Sequence, residues 1–295
     1  MHLVKLELSV ALACVCLPVA AERIELKTDC ASCVVETEGA RILSFKPVDG
    51  EEAIWNADPI QTSAPKWAHG GIPVCWPRFG VDASGAIHGV AWLRTFRLLG
   101  RRDGAGVSEA VLGLSDGDAR LEVAVALSDA LSVEMKTANA GTNELFCSFG
   151  FHPYFRVSER SKTWVDGLDG LRFEDDPSRA SPERGVWKGV FRVEESVDRI
   201  FQLLGGGRMA FPLHDAPCGR KIVVECEGAS HLNVWNPGAE KNCPGVVPGD
   251  EWRRFVCVEP IFMAAADGSP GRIPPGGQRI LKMKIRIEEG RGECR

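Results

Sequence analysis

The 295-residue sequence predicts an all-β fold, a large antiparallel sandwich or barrel, on three observations. Short segments alternating apolar and polar residues recur along nearly the whole chain. Compact turn formers such as 49–50 (DG), 115–118 (SDGD) and 128–130 (SDA) separate many of them. Amphipathic stretches at helical spacing are almost missing; 186–193 has some of that spacing but is short. Many strands at close intervals, without intervening helices, favour antiparallel sheets over βαβ units.

Taken in order, 33–37, 40–47 and 53–57 read as strands, with Asp49-Gly50 a hairpin signal. After an irregular stretch come 95–99, 109–114, 119–127 and 131–139, a meander of period-two segments. The second half continues with 145–151, 168–174, 189–193, 200–204, 221–226, 232–236, 254–258 and 279–287. Residues 175–183 (DDPSRASPE) read as a loop, and no linker or repeat divides the chain. The expected organisation is one domain over residues 22–295.

Residues 1–21 differ in character from the rest of the chain. An apolar run over 10–20, small residues at 19–21 and then Glu22-Arg23 resemble a signal peptide with its cleavage site, although Glu7 weakens the positive start. The expectation is a secreted or periplasmic protein, with a cytoplasmic location the alternative. A net charge of -5 gives no footprint for nucleic acid, and no later apolar run is long enough to span a bilayer as a helix. A monomer is expected. Eleven cysteines are many, but Cys30 and Cys33 form a lone CxxC in a strand-like region. That argues against a four-thiolate zinc site or a thioredoxin-type centre, leaving a local disulfide or buried thiols.

The most informative stretch is 68–94 (AHGGIPVCWPRFGVDASGAIHGVAWLR). Its glycines and prolines forbid a regular helix or central strand, and Trp76, Phe79 and Trp92 are costly to leave in water. A long irregular segment of this kind is expected to fold over a ligand pocket. Elsewhere, Glu259 ends an apolar strand in 255–260 (FVCVEP), where desolvation would raise its pKa toward a general base's range unless a buried arginine pairs with it. His152 follows the apolar strand 147–151, and His88 ends the irregular stretch; each could equally be a satisfied structural histidine. Asp198 could bind a ligand or pair with Arg199. Trp235 and Asn236 put a ring beside an amide, a combination suited to sugars but also to a packed corner.

Six segments in order, 70–80 (GGIPVCWPRFG), 88–91 (HGVA), 151–155 (FHPYF), 197–201 (VDRIF), 234–237 (VWNP, with Glu240 and Lys241) and 256–260 (VCVEP), resemble the motifs of the glucose-6-phosphate 1-epimerase branch of the aldose 1-epimerase family. The likeness runs from about residue 24 to 287. It implies a galactose mutarotase-like β-sandwich with an open cleft for a hexose. It also implies roles: Glu259 as general base at the anomeric hydroxyl, His152 as general acid at the ring oxygen, and His88 and Asp198 as substrate ligands. No metal and no organic cofactor are implied. Arg78, Arg94, Trp76 and Trp235 complete the expected sugar-binding set.

Two positions depart from the branch. His69 and Trp92 stand where it commonly carries phosphate-binding arginines, whose bidentate fork a ring does not replace. Arg78 and Arg94 are the nearest candidates to compensate. The expected activity is interconversion of the α and β anomers of a hexose or hexose 6-phosphate; the alternative is a non-catalytic carbohydrate-binding protein on the same fold.

Overall fold

The computed structural model describes residues 21–57, 69–82, 84–175, 181–194, 196–239, 247–265 and 269–288. Residues 1–20 of the expected signal segment, Ala68, Glu240 and Lys241 lie outside them. Two large antiparallel sheets dominate. One has nine strands, in the order 191–192, 163–165, 209–215, 220–227, 278–288, 131–139, 119–127, 107–116 and 97–104. The other has eight: 184–186, 172–175, 197–202, 231–236, 255–262, 149–151 and 74–75 in sequence across the sheet, with 154–156 also pairing 255–262. A three-stranded sheet (23–27, 31–36, 42–47) and a two-stranded one (271–273 with 145–147) complete the architecture.

The alternation anticipated from sequence is realised directly. Along Leu131–Asn139 every second residue is buried, and Val133 and Met135 enter the same apolar cluster as Val123 and Val125 of the neighbouring strand. Phe201, Leu232, Val234, Val256 and Val258 of the eight-stranded sheet join that cluster, so the core fills the space between the two sheets. The opposite face of the eight-stranded sheet then carries the residues in between: Asp198 and Ile200, Asn233 and Trp235, Cys257 and Glu259. This face lies away from that core and holds its polar residues together with two smaller apolar clusters.

Some expectations need correcting. Residues 186–193 contain no helix; Arg184–Val186 and Phe191–Arg192 are short strands in different sheets. The Asp49-Gly50 turn does not make a strand hairpin, because Ile42–Pro47 pairs back onto Ala31–Glu36 while 53–57 forms only isolated bridges. Met209–Asp215 is a strand despite Pro212 at its centre. Its neighbour 163–165 pairs with residues 213–215, and the next bond is made by the Pro212 carbonyl, which accepts from the Asp166 N–H at 2.9 Å, so the donor that proline lacks falls at the end of that side of the ladder. Cys30 and Cys33 are both free, one exposed and one buried, so they do not form the local disulfide; Cys218 is disulfide-bonded.

Candidate active site

The site is assembled on the open face of the eight-stranded sheet. The strand Phe255–Phe262 places Glu259 there because Val256 and Val258 are drawn into the core, and period two sends Cys257 and Glu259 the other way. Antiparallel pairing sets Asn233 directly opposite Glu259, and Trp235 opposite both Cys257 and Asp198. On the other side of the glutamate strand, Phe149–Phe151 and Tyr154–Arg156 both pair with it, and His152 lies in the short break between them. A histidine and a glutamate separated by more than one hundred residues are thereby brought together: His152 Nε2 stands 3.6 Å from Glu259 Oε2.

Both groups are buried, with 5% of His152 and none of Glu259 exposed. Burial pushes the Glu259 carboxyl well above the usual carboxylate range, the Asp198 charge raises it further, and a hydrogen bond from Asn233 opposes the rise. Asn233 Nδ2 donates to Glu259 Oε1 at 3.4 Å and to Asp198 Oδ1 at 3.1 Å, so one amide spaces two carboxyls. Burial holds His152 well below the ordinary imidazole value, and the charges that His88 and His69 would carry push it the same way. Glu259 Oε2 and Asn233 Oδ1 are buried without a hydrogen-bond partner among the described residues. Orphaned buried acceptors are uncommon in folded proteins and mark a place where a ligand's hydroxyl groups can bond.

Three imidazoles converge here. His88 packs edge-on against His152, ring centroids 5.3 Å apart, and its Nδ1 accepts from the Gly80 N–H at 3.2 Å. Its backbone lies at φ 56°, a left-handed conformation uncommon for a residue other than glycine. The following Gly89 (φ 70°) could not bear a Cβ, which would meet the Trp76 carbonyl oxygen at 2.4 Å. Trp92 braces the turn, its indole N–H shared between the carbonyls of Ile87 and Gly89 at 3.1 Å each. His69 bonds to the Tyr154 hydroxyl at 2.9 Å and stacks on Trp235. Burial lowers His69 to about 4 and His88 to about 3. Tyr154, fully buried, lies flat against the His152 ring at 4.8 Å, and Trp235 meets the same ring edge-on at 5.6 Å.

The structure thus gathers His152, Glu259, His88, Asp198 and Trp235 of the expected set, and adds His69, Tyr154 and Asn233. It does not gather the rest. Trp76 is fully buried in the core between the sheets and donates its indole N–H to Thr137 of the nine-stranded sheet, so it has no surface to offer a sugar. Arg78 turns back onto the Val81 carbonyl within its own loop. Arg94 is exposed at the end of the 3-10 turn Ala91–Leu93, with no side-chain partner among the described residues. His152, Cys257 and Glu259 also bring three ligand-type atoms within 4.8 Å of one another. A soft divalent ion could be held there only by displacing thiol and carboxyl protons that burial retains.

The aldose 1-epimerase family matches residues 22–266. This chain belongs to that family. It is 31% identical over 244 residues to a Salmonella typhimurium protein named "Putative glucose-6-phosphate 1-epimerase", covering 77% of this chain and 79% of the relative. A Cenchrus ciliaris protein of the same name is 29% identical over 258 residues, covering 81% and 76%. Among solved structures, a Salmonella typhimurium protein described as "a putative mutarotase" superposes with a TM-score of 0.80 at 23% identity, covering 92% of this chain and 91% of that one. The galactose 1-epimerase of Lactobacillus acidophilus superposes at 0.74 with 15% identity, covering 92% and 95%, a likeness of fold. The β-sandwich expected from the sequence is therefore the family's own, and the chain is an aldose epimerase.

Proposed function

We propose that the His152–Glu259 pair carries out the proton transfers of anomer interconversion on an unphosphorylated aldohexose. The reading rests above all on the buried Glu259 Oε2, which makes no hydrogen bond among the described residues and lies 3.6 Å from His152 Nε2. Opening a pyranose hemiacetal requires one proton to leave the anomeric hydroxyl and one to reach the ring oxygen. Before substrate binds, burial favours the neutral carboxyl and the neutral imidazole. These hold one exchangeable acidic proton between them, and its transfer from Glu259 to His152 yields the carboxylate and imidazolium that the reaction uses. Glu259 then takes the O1 proton while His152 protonates O5. The C1–O5 bond breaks to give the open aldehyde, the C1–C2 bond rotates, and the reverse transfers close the other anomer. Asn233 and Asp198 are placed to orient sugar hydroxyls, and Trp235 offers an apolar ring to the sugar's face.

Loss of the 6-phosphate preference is supported by what occupies the departing positions. His69 is neutral near pH 7 and tied to Tyr154, and Trp92 is tied to backbone carbonyls. Of the candidates to replace the missing cations, Arg78 is bonded to the Val81 carbonyl of its own loop and Arg94 is exposed to solvent. Exchange NMR with glucose and glucose 6-phosphate in parallel tests this. Faster α/β exchange with glucose is expected; a strong preference for the phosphorylated sugar would refute the specificity, and no acceleration of either would refute the catalytic roles.

A further inference from the structure

The open face of the sheet does not end at Asn233. Cross-strand registers run Glu259–Asn233, Asn233–Ile200, Ile200–Glu174 and Glu174–Arg184, one continuous row on the ligand-facing side. Beyond Ile200 this row opens into a cavity of about 420 Å³, within the range of roughly 300–1,000 Å³ typical of small-molecule sites. Ile200, Glu174, Gln202, Arg172, Arg184 and His231 line it. Neither arginine has an ion-pair or hydrogen-bond partner among the described residues, even though Glu174 lies across the strand from Arg184. His231 is 4% exposed; its Nδ1 bonds to the Ser230 hydroxyl, and its Nε2 has no hydrogen-bond partner among the described residues. Among the described residues the lining sets two uncommitted guanidiniums against one carboxylate, a net positive charge, and guanidinium forks suit carboxylate, phosphate and sulfate.

We propose that this cavity is a second saccharide subsite, which takes an acidic sugar unit linked to the reducing-end aldose held at the acid/base pair. The inference rests on the functional reading above and extends it to substrate class. Glu174 stands three strands from Glu259, roughly 14 Å at about 4.8 Å per strand, which exceeds the span of one pyranose with its own 6-substituent. A second ring covers that distance. Ile200 offers an apolar floor at the junction, the two arginines meet the anion, and Gln202 and His231 are placed for its hydroxyls.

The test compares kcat/KM for glucose, cellobiose and glucuronyl-glucose disaccharides with 1→3, 1→4 and 1→6 linkages, with 6′-phosphocellobiose separating phosphate from carboxylate. Binding of each to the full chain is measured by calorimetry. At least one acidic disaccharide should exceed glucose and its neutral counterpart tenfold or more, in kcat/KM and in affinity. The double variant Arg172→Gln/Arg184→Gln should erase that advantage, and 0.5 M salt should weaken it, while glucose turnover stays unchanged. The proposal is overturned if no acidic disaccharide is preferred, or if the double variant loses glucose and disaccharide turnover equally. Absence of glucose turnover would instead overturn the catalytic reading, and the calorimetric comparison of wild type with the double variant would still decide the subsite.

Discussion

The two faces of the eight-stranded sheet share strands but not chemistry. Along Phe255–Phe262, Val256 and Val258 fill the core between the sheets, whereas Cys257 and Glu259 turn to the face that holds His152 and Asn233. Trp76 and Trp235 make the same contrast with one residue type. The first is sealed in the core against Thr137, and the second is half-buried beside the imidazoles. Strand periodicity lets one segment stabilise the molecule with even-numbered residues and carry a perturbed carboxyl with odd-numbered ones. Stability and catalysis should therefore separate by face.

The largest effect expected is on the glutamate strand itself. Glu259→Gln should lower kcat by about 100- to 10,000-fold with thermal stability kept, while Val258→Asp, one residue away, should prevent folding by burying an unpaired charge. Stopped-flow polarimetry and thermal melts read the two; a stable, active Val258→Asp would break the comparison. Next, Trp76→Ala should cost about 3–5 kcal/mol of stability. Trp235→Ala should cost less and should raise KM instead. Equal destabilisation by both in chemical denaturation would mean that the faces do not differ as described.

Acid and base should then each lower stability, through different groups. Folding depresses His69 to about 4, His88 to about 3 and His231 to about 4. Below the unfolded value of about 6.5 the unfolded chain binds more protons, so stability falls as pH drops, by up to about 1.4 kcal/mol per unit for each histidine. Glu259 is raised in the fold, so the folded state binds the extra proton above about 4.5, and its contribution is lost as pH rises. The histidines outnumber it between those values, which places the maximum melting temperature near pH 6.5. Glu259→Gln should flatten the fall above pH 6.5 and steepen the fall between about 6.5 and 4.5, where the carboxyl offsets one histidine; an unchanged profile would contradict the buried protonated carboxyl. The smallest effect is expected from Asn233→Ala, about tenfold in kcat, because it frees two carboxyls to repel without removing either. No change would remove Asn233 from the site.

Much of this was legible in the sequence for stated physical reasons. A carboxylate in so apolar a segment had to be either paired or perturbed, and Glu259 is perturbed, although the strand runs on to Phe262 and does not end at Glu259 as the sequence suggests. The alternating segments gave the sheets. Asn233 and Tyr154 do not stand out in the sequence, because each sits in an ordinary-looking strand or strand end. Only the cross-strand register, which depends on contacts far apart in the chain, sets Asn233 opposite Glu259 and Tyr154 on His152. Trp76 misled because an indole among glycines and prolines looks the same in sequence whether its loop covers a pocket or inserts between sheets. Met209–Asp215 is not legible in the sequence, because Pro212 argues against a strand unless the neighbouring ladder is known to end there.

The most direct test of the account is a double-mutant comparison at the pair. Exchange NMR would follow the α/β interconversion of glucose with wild type, His152→Asn, Glu259→Gln and both together. If the imidazole and the carboxyl pass protons as one unit, each single variant should fall by at least 100-fold and the double should be scarcely slower than either single. A single variant within tenfold of wild type, or losses that multiply in the double, would contradict it.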